Sequence, residues 1–349
     1  METIIARIAD VNGQTEQRTL EKAGEILRSG GLVIFPTETV YGLGGNALDA
    51  AAAGKIYAAK GRPADNPLIV HIASPGDAEQ YAVTNATYNR LAEAFMPGPL
   101  TVILPVRNSI PKTVTAGLPS VAVRCPVHPV AHALIEKAGV PIAAPSANLS
   151  GSPSPTCAAH AIDDMQGRVD MILDGGACDI GVESTIVKVE EDGSLCLLRP
   201  GGITPEMLLA VCPHLTIADA VLHAMREGET VLSPGMKYRH YAPKAPVALL
   251  DGSPTQKALY IAGQNGRIAV LCYEEELPLF REQLPGCDLY SIGAAADTGM
   301  QAHRLFSLLR EADKVGYDRI FAPLPSPHGM GMALYNRMIR AAAHTIINL

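Results

Sequence analysis

The sequence predicts an α/β protein in two parts, a larger domain with a twisted mixed sheet and flanking helices and a smaller, Rossmann-like α/β domain after it. Three observations support this. Short β-type apolar runs alternate with helical patterns from one end of the chain to the other. A stretch rich in proline and basic residues interrupts the alternation once, at 233–246. And 349 residues, 48% of them hydrophobic, are enough for about two domains of ordinary size.

In chain order, Ile4–Ile8 reads as a strand and Thr19–Arg28 as a helix closed by Gly30 and Gly31. Strand Leu32–Pro36, helix Leu48–Lys60 and strand Leu68–Ala73 follow. Then come helix Tyr88–Phe95, strands Leu100–Val106 and Val121–Arg124, helix His128–Ala138 and a buried strand at Pro141–Ala144. Helix Thr156–Gln166 precedes strands Met171–Leu173, Ser184–Val189 and Leu195–Leu198. Thr204 is a suitable cap for a helix reaching Val211, since Pro205 falls where a helix tolerates proline.

From His214 to Gly228 the pattern is polar and helix-like, and SPGMKYRHYAPKAP then forms a linker that cannot pack as a helix or central strand. Beyond it, strands Val247–Leu250, Arg267–Tyr273, Leu289–Ile292 and Arg319–Pro323 alternate with helices Thr255–Gln264, Ala302–Val315 and Ala333–Ile347, the pattern of a doubly wound sheet. The expected division is 1–212, linker 213–246, and 247–349.

A net charge of −7 argues against a surface that binds nucleic acid by neutralising phosphates. With no Trp and 5% aromatic residues there are few rings for stacking bases. The longest apolar runs, Gly31–Phe35 and Val140–Pro145, fall far short of the ~20 residues of a membrane span. The start has no signal-peptide shape, so a cytoplasmic protein is expected. Seven dispersed cysteines without a CxxC pair suit reduced, buried thiols.

The densest chemical signal is KGRPADNPLIVH, Lys60 to His71. A helix ending at Lys60, with Gly61 as a left-handed cap and Pro63 barring continuation, leaves Lys60 and Arg62 at the helix end and on the loop after it. One cation there would only complement the helix dipole. Two, with Asn66 and His71 on the same passage, suit a polyphosphate.

The stretch FPTETVYGLGGNA, Phe35 to Ala47, reads as a strand entering a Gly-rich turn with Thr37, Glu38, Thr39 and Tyr41 at its mouth, groups that can hold a carboxylate or phosphate. No Walker A loop is present, and the glycine order is not GxGxxG. In PIAAPSANLSGSPSPT an apolar strand delivers Ser146 and Asn148 into a Ser-rich loop before a helix, a place where α/β proteins bind ligands. Ser146 has no GxSxG elbow around it.

Ser120 with Arg124, Glu183-Ser184-Thr185, and Arg199 are smaller features of the same kind. Arg124 ends an apolar strand, where an unmatched charge is costly. In the C-terminal part, Gly329 and Gly331 open a helix after a strand, a layout that binds phosphate or simply permits close packing.

The ordered set PTETVYGLG, KGRPADNPLIVH, SVAVRCP, APSAN, GVESTIV and LLRPG resembles the Sua5/YrdC/YciO family, and SPGMKYRHYAP with a second α/β domain resembles its two-domain Sua5 branch, the threonylcarbamoyl-AMP synthases. The resemblance spans nearly the whole chain. It implies a YrdC-like first domain and a nucleotidyltransferase reaction: L-threonine, bicarbonate and ATP give threonylcarbamoyl-adenylate and pyrophosphate. The product would serve formation of N6-threonylcarbamoyladenosine at position 37 of ANN-reading tRNAs, through a separate tRNA threonylcarbamoyl-transferase complex.

Carried over motif by motif, Lys60 and Arg62 would be the catalytic cations. ATP would be held by these two with Asn66, Ser120, Ser146, Ser154, Arg199 and Tyr238. L-threonine would be held by Thr39, His71, Arg124, Ala144 and Ser184, with Arg124 taking its carboxylate. Mg2+ is expected on the ATP phosphates rather than on a protein metal site. The resemblance also implies that the linker, through Tyr238, Arg239, His240 and Tyr241, closes over the site as a lid. A non-catalytic RNA-binding module is disfavoured by the charge balance, and a hydrogenase-maturation protein by the missing CxxC pairs.

Overall fold

Eleven strands form the first sheet in the computed structural model, which describes residues 2–223 and 241–349. They are β1 (Ile4–Arg7), β2 (Val33–Phe35), β3 (Gly42–Asn46), β4 (Ile69–His71), β5 (Leu100–Pro105), β6 (Ser120–Arg124), β7 (Ile142–Ala143), β8 (Met171–Asp174), β9 (Thr185–Val189), β10 (Leu195–Arg199) and β11 (Leu215–Ile217). Their order is β1-β8-β2-β3-β7-β4-β6-β5-β9-β10-β11. The sheet is mixed. At its centre β4 runs parallel to β6, and β7 and β5 flank that pair antiparallel.

The helices packed on it are α1 (Gln14–Arg28), α2 (Ala50–Lys60), α3 (Ala86–Phe95), α4 (Lys112–Thr115), α5 (Pro129–Ala138), α6 (Ala158–Met165) and α7 (Pro205–Val211). Local chemistry sets the ends that matter for the site. Asp49 caps α2 by accepting from the Ala51 amide, and Gly61 closes it in the left-handed conformation at φ 62°, which releases Arg62 into a loop. Helix α5 begins on Pro129 and ends on Gly139, also left-handed. One core, including Ile34, Tyr41, Ile56 and Val70, fills one face of the sheet. Another, including Leu20, Leu27, Phe35 and Leu134, lies under α1 and α5.

The second sheet is wholly parallel: β12 (Val247–Asp251), β13 (Ile268–Tyr273), β14 (Asp288–Gly293), β15 (Arg319–Pro323) and β16 (Ile346–Asn348), in the order β14-β13-β15-β12-β16. Helices α8 (Pro254–Ala262), α9 (Leu277–Gln283), α10 (Thr298–Val315) and α11 (Gly331–Ala341) connect the strands. Its core joins Leu249, Phe306, Leu309, Ile320 and Leu334 to three residues from outside the sheet, Val40, Val182 and Tyr241. Among the described residues no helix is long and apolar enough to cross a membrane.

Four expectations are corrected. The Gly-rich stretch after Phe35 is not only a turn, because Gly42–Asn46 pairs with β2 and β7 as β3. A side chain at Gly44 would put Cβ 2.7 Å from Ile142 Cγ2 and 2.8 Å from the Phe35 ring, so glycine is what allows a strand to lie there. The segment after His214 opens with β11, parallel to β10, rather than with helix; Leu-Thr-Ile alternates with a period of two. Helix α9 fills the interval between β13 and β14, where the sequence pattern predicts none. The last helix stops at Ala341, and Ile346–Asn348 turns back to pair with β12. Gly331 would drive a Cβ to 2.4 Å from the Ser326 carbonyl, which favours its packing role at the start of α11.

Overpacking at β3 gives a direct test. Gly44→Ala should lower the stability of the first domain by about 1–3 kcal/mol, read as an earlier urea midpoint; an unmoved midpoint contradicts the close approach.

Candidate active site

Parallel pairing of β4 with β6 sets His71 opposite Arg124 at the carboxyl ends of two central strands. Both side chains line a cleft of about 580 Å³, part of it open to solvent. Loops complete its wall: Thr37 and Val40 after β2, Ala144 to Ser146 and Asn148 after β7, Glu183 before β9, Arg199 at the end of β10, and Arg62 and Tyr241.

Arg124 is clamped from behind. Its Nη2 donates to Glu38 Oε1 at 2.7 Å, Thr39 Oγ1 at 2.9 Å and Thr37 Oγ1 at 3.4 Å. Thr37 in turn fixes the turn, its Oγ1 donating to the Val40 carbonyl and accepting from the Thr39 and Val40 amides. All of this holds one nitrogen, and Arg124 Nε has no acceptor among the described residues. A buried guanidinium whose Nε still lacks an acceptor is a receptor for a carboxylate.

His71 lies beside it with Nδ1 3.1 Å from the Ile69 carbonyl and 3.3 Å from that of Ile142. This geometry assigns the proton to Nδ1 and leaves Nε2 as an acceptor. Burial, then the Arg124 charge, lowers its pKa to about 3, so the ring is neutral at physiological pH.

Arg199 is held by Ser184, with Nε on its carbonyl at 3.0 Å and Nη2 on its Oγ at 3.1 Å. Ser184 Oγ also shares a hydrogen bond with Thr101. Burial brings Arg199 down to about 10, which leaves it charged. Glu183 is buried, which pushes its pKa up. Arg337, then Arg199 and the Ser154 hydroxyl, outweigh that and hold it below the usual carboxylate value.

Lys60 is buried behind the Ser146 loop rather than in the cleft wall. Its Nζ donates to the carbonyls of Ser146 and Asn148, the latter at 2.6 Å. Burial and the neighbouring Arg62 drive its pKa well down. Arg62 reaches the cleft while donating to the Asn66 and Pro67 carbonyls. Asn66 is fully buried, and neither atom of its side-chain amide has a partner among the described residues.

Of the residues assigned to ATP or threonine from the motifs, the cleft wall thus contains Arg62, His71, Arg124, Ala144, Ser146 and Arg199. Thr39, Ser154 and Ser184 stand one hydrogen bond behind it, on Arg124, Glu183 and Arg199. Ser120 does not line it. It starts β6, four residues (roughly 13 Å) from Arg124, and falls level with Pro67 at the Arg62 end of the sheet face. Tyr238 lies outside the described residues.

One functional group escaped sequence reasoning, and another was named without its role. Glu38 lay inside a motif, yet nothing local said that it would face Arg124. Arg337 lies in α11, far along the chain, and bonds to Glu183. Its one sequence signal is a charge on a largely apolar helix, a signal it shares with Arg340. Among the described residues no group of three or more His, Cys, Asp or Glu is placed to hold a metal ion.

The fold and this cleft define an α/β enzyme for small anionic substrates, with buried cations, hydroxyls and a neutral imidazole gathered at strand ends. The chain belongs to the Sua5/YrdC/YciO family. The family model described as "Telomere recombination" matches residues 25–201, and the one described as "Threonylcarbamoyl-AMP synthase, C-terminal domain" matches 203–343. The chain is 44% identical over 344 residues to the threonylcarbamoyl-AMP synthase of Bacillus subtilis (strain 168), covering 95% of each. It is 42% identical to that of Pyrococcus abyssi, covering 98% of this chain and 99% of the relative. The solved structure of P. abyssi Sua5 complexed with L-threonine matches with a TM-score of 0.88 at 39% identity, over 99% of this chain and 100% of that one.

The neutral His71 has a pH signature. Its folded pKa of about 3 lies below an unfolded value near 6.5, so its contribution is full above about pH 6.5 and is lost as pH falls toward 3. Between pH 7 and 5 the wild type should lose about 2 kcal/mol more stability than His71→Asn, measured by urea unfolding at both pH values. Equal losses would contradict a neutral buried imidazole.

Proposed function

We propose that this chain is an L-threonylcarbamoyladenylate synthase, a nucleotidyltransferase that makes threonylcarbamoyl-AMP and pyrophosphate from L-threonine, bicarbonate and ATP. The observation that carries the reading is the Arg124 clamp beside the neutral His71: a carboxylate receptor next to a hydrogen-bond acceptor, the complement of an amino acid with a side-chain hydroxyl. It agrees with what the relatives are named for and with the threonine held by the P. abyssi protein.

In this reading the carboxylate of threonine bonds the Arg124 nitrogens that Glu38 and the two threonines leave, and its hydroxyl donates to His71 Nε2. Thr39 and Ser184 hold the two arginines that frame it, and Ala144 leaves room for the γ-methyl. That methyl gives only ~1–3 kcal/mol of preference over serine. ATP occupies the side bounded by Arg62, Ser146 and Arg199, with Lys60, Asn66, Ser120, Ser154 and Tyr238 assigned to it from the motifs.

Condensation of the threonine amine with bicarbonate forms the carbamate N–C bond and releases water, and joining the carbamate oxygen to the α-phosphorus forms one P–O bond and breaks the bond to pyrophosphate. It requires neutralisation of phosphate charge and alignment rather than a side-chain nucleophile. Arg62 and Arg199 supply fixed positive charge, while Lys60 holds the Ser146–Asn148 loop by its carbonyls. Mg2+ enters bound to ATP, since such an ion is held mainly by phosphate oxygens and water. We assign the product to tRNA threonylcarbamoylation, passed on to a separate transferase complex.

Pyrophosphate release from Mg-ATP, with threonine and bicarbonate omitted in turn, should require both and give an adenylate of the expected mass. Release that ignores threonine refutes the assignment. Arg124→Ala should raise KM for threonine about 10–100-fold, the worth of charge-assisted hydrogen bonds. A threonine KM that does not move would place the amino acid elsewhere.

A further inference from the structure

The cleft is walled in part by residues whose positions are set from the other domain. Glu183 and Tyr241 both line it. Glu183 Oε1 accepts from Ser154, and Oε2 accepts from Arg337 Nε at 2.8 Å. Arg337 belongs to α11 and is completely buried, the largest such side chain among the described residues. Its Nη1 donates to the Pro200 carbonyl at 2.8 Å and to Asn336 Oδ1 at 3.0 Å, and its Nη2 to the Glu183 carbonyl at 3.2 Å. The guanidinium also lies 5.6 Å from the centre of the Tyr241 ring, which stacks on Phe306 of α10 at 5.2 Å. One side chain therefore touches the carboxylate, the ring and the turn just after Arg199.

Neighbouring contacts hold the two domains in the same register. Gly181 lies so close to α10 that a Cβ would come within 2.5 Å of His303 Cα, and its φ of 82° is left-handed. Arg310 pairs with Asp164 through both carboxylate oxygens and donates to the Pro153 carbonyl, next to Ser154. The grip of α10 and α11 falls on the segments that carry Ser154, Glu183 and Arg199.

A buried carboxylate facing a site for phosphates has two defects unless it is paired: it repels the substrate, and burial drives it to take up a proton. Arg337 removes both, and it does so from a rigid helix of the C-terminal domain.

We propose that Arg337 is a positioning residue for the synthase reaction, fixing Glu183, Tyr241 and the Arg199–Pro200 turn so that the C-terminal domain completes the nucleotide side of the cleft. This rests on the function proposed above. It predicts a larger effect on ATP than on threonine, because Thr37, Thr39, His71 and Arg124 on the amino-acid side have no bond to α10 or α11 among the contacts described, and only Ser184, next to Glu183, adjoins the Arg337 contacts.

The test uses the full-length chain. Arg337→Lys keeps a cation beside Glu183 but loses the planar fork that reaches Pro200 and faces Tyr241. Arg337→Met combined with Glu183→Gln removes the pair without leaving a buried charge, so it keeps a folded protein available if the single change unfolds. ATP and L-threonine binding are measured by calorimetry alongside kcat/KM for each substrate. Both variants should lose about tenfold or more in ATP affinity and in kcat/KM for ATP, while the dissociation constant for threonine stays within about threefold. A folded variant with wild-type ATP parameters, or one that loses threonine binding equally, overturns the proposal. A wild type that binds both ligands while the variants are unaffected removes this inference alone. A wild type that binds neither removes the function it rests on as well.

Discussion

Concentrating positive charge around a cleft only partly open to solvent is the constraint around which the molecule is arranged. Lys60, Arg124, Arg199 and Arg337 are all buried at or just behind one cavity, and a buried cation survives only when oxygen atoms surround it. The chain meets this demand differently for each. Lys60 is met by main-chain carbonyls of the Ser146 loop, Arg199 by Ser184, Arg124 by Glu38 with two threonines, and Arg337 by Glu183 with the Pro200 carbonyl. The twisted mixed sheet makes this possible, because strand ends from distant parts of the sequence deliver those acceptors within a few ångströms of one another.

What the sequence disclosed follows from what is local. Helix α2 carries its own start and stop in Asp49 and Gly61, so the exit at Lys60 and Arg62 is legible from the residues alone. The runs that form β5, β6 and β9 are apolar enough to be unmistakable. The misses are non-local. β3 is almost all glycine and small residues, with no β propensity; it is a strand because Phe35 and Ile142 leave room for nothing larger. β11 and β16 are three-residue strands defined by their partners β10 and β12 rather than by pattern.

The same division separates the site residues. Arg124, His71 and Arg199 end strands, and a charged or polar group at the end of an apolar run draws attention by itself. Glu38 and Glu183 could be seen in their motifs, but their use could not, since each takes its meaning from an arginine more than eighty residues away. Arg337 is that partner of Glu183, and the two domains meet there through hydrogen bonds to main-chain carbonyls that leave no mark in the identity of the residues providing them.

The burial of so many cations has a consequence for the outside of the molecule. Among the described residues seven Lys and Arg are buried, namely Lys60, Arg124, Arg199, Lys257, Arg310, Arg337 and Arg340, against three carboxylates, Glu38, Glu183 and Glu276. The rest of the chain then carries 21 cations and 32 acids, a net of −11 where the whole shows −7. Near the surface the unburied charges dominate and at a distance the whole −7 does, and both sums are negative. A polyanion approaching from solvent is therefore repelled at long range, and added salt weakens that repulsion.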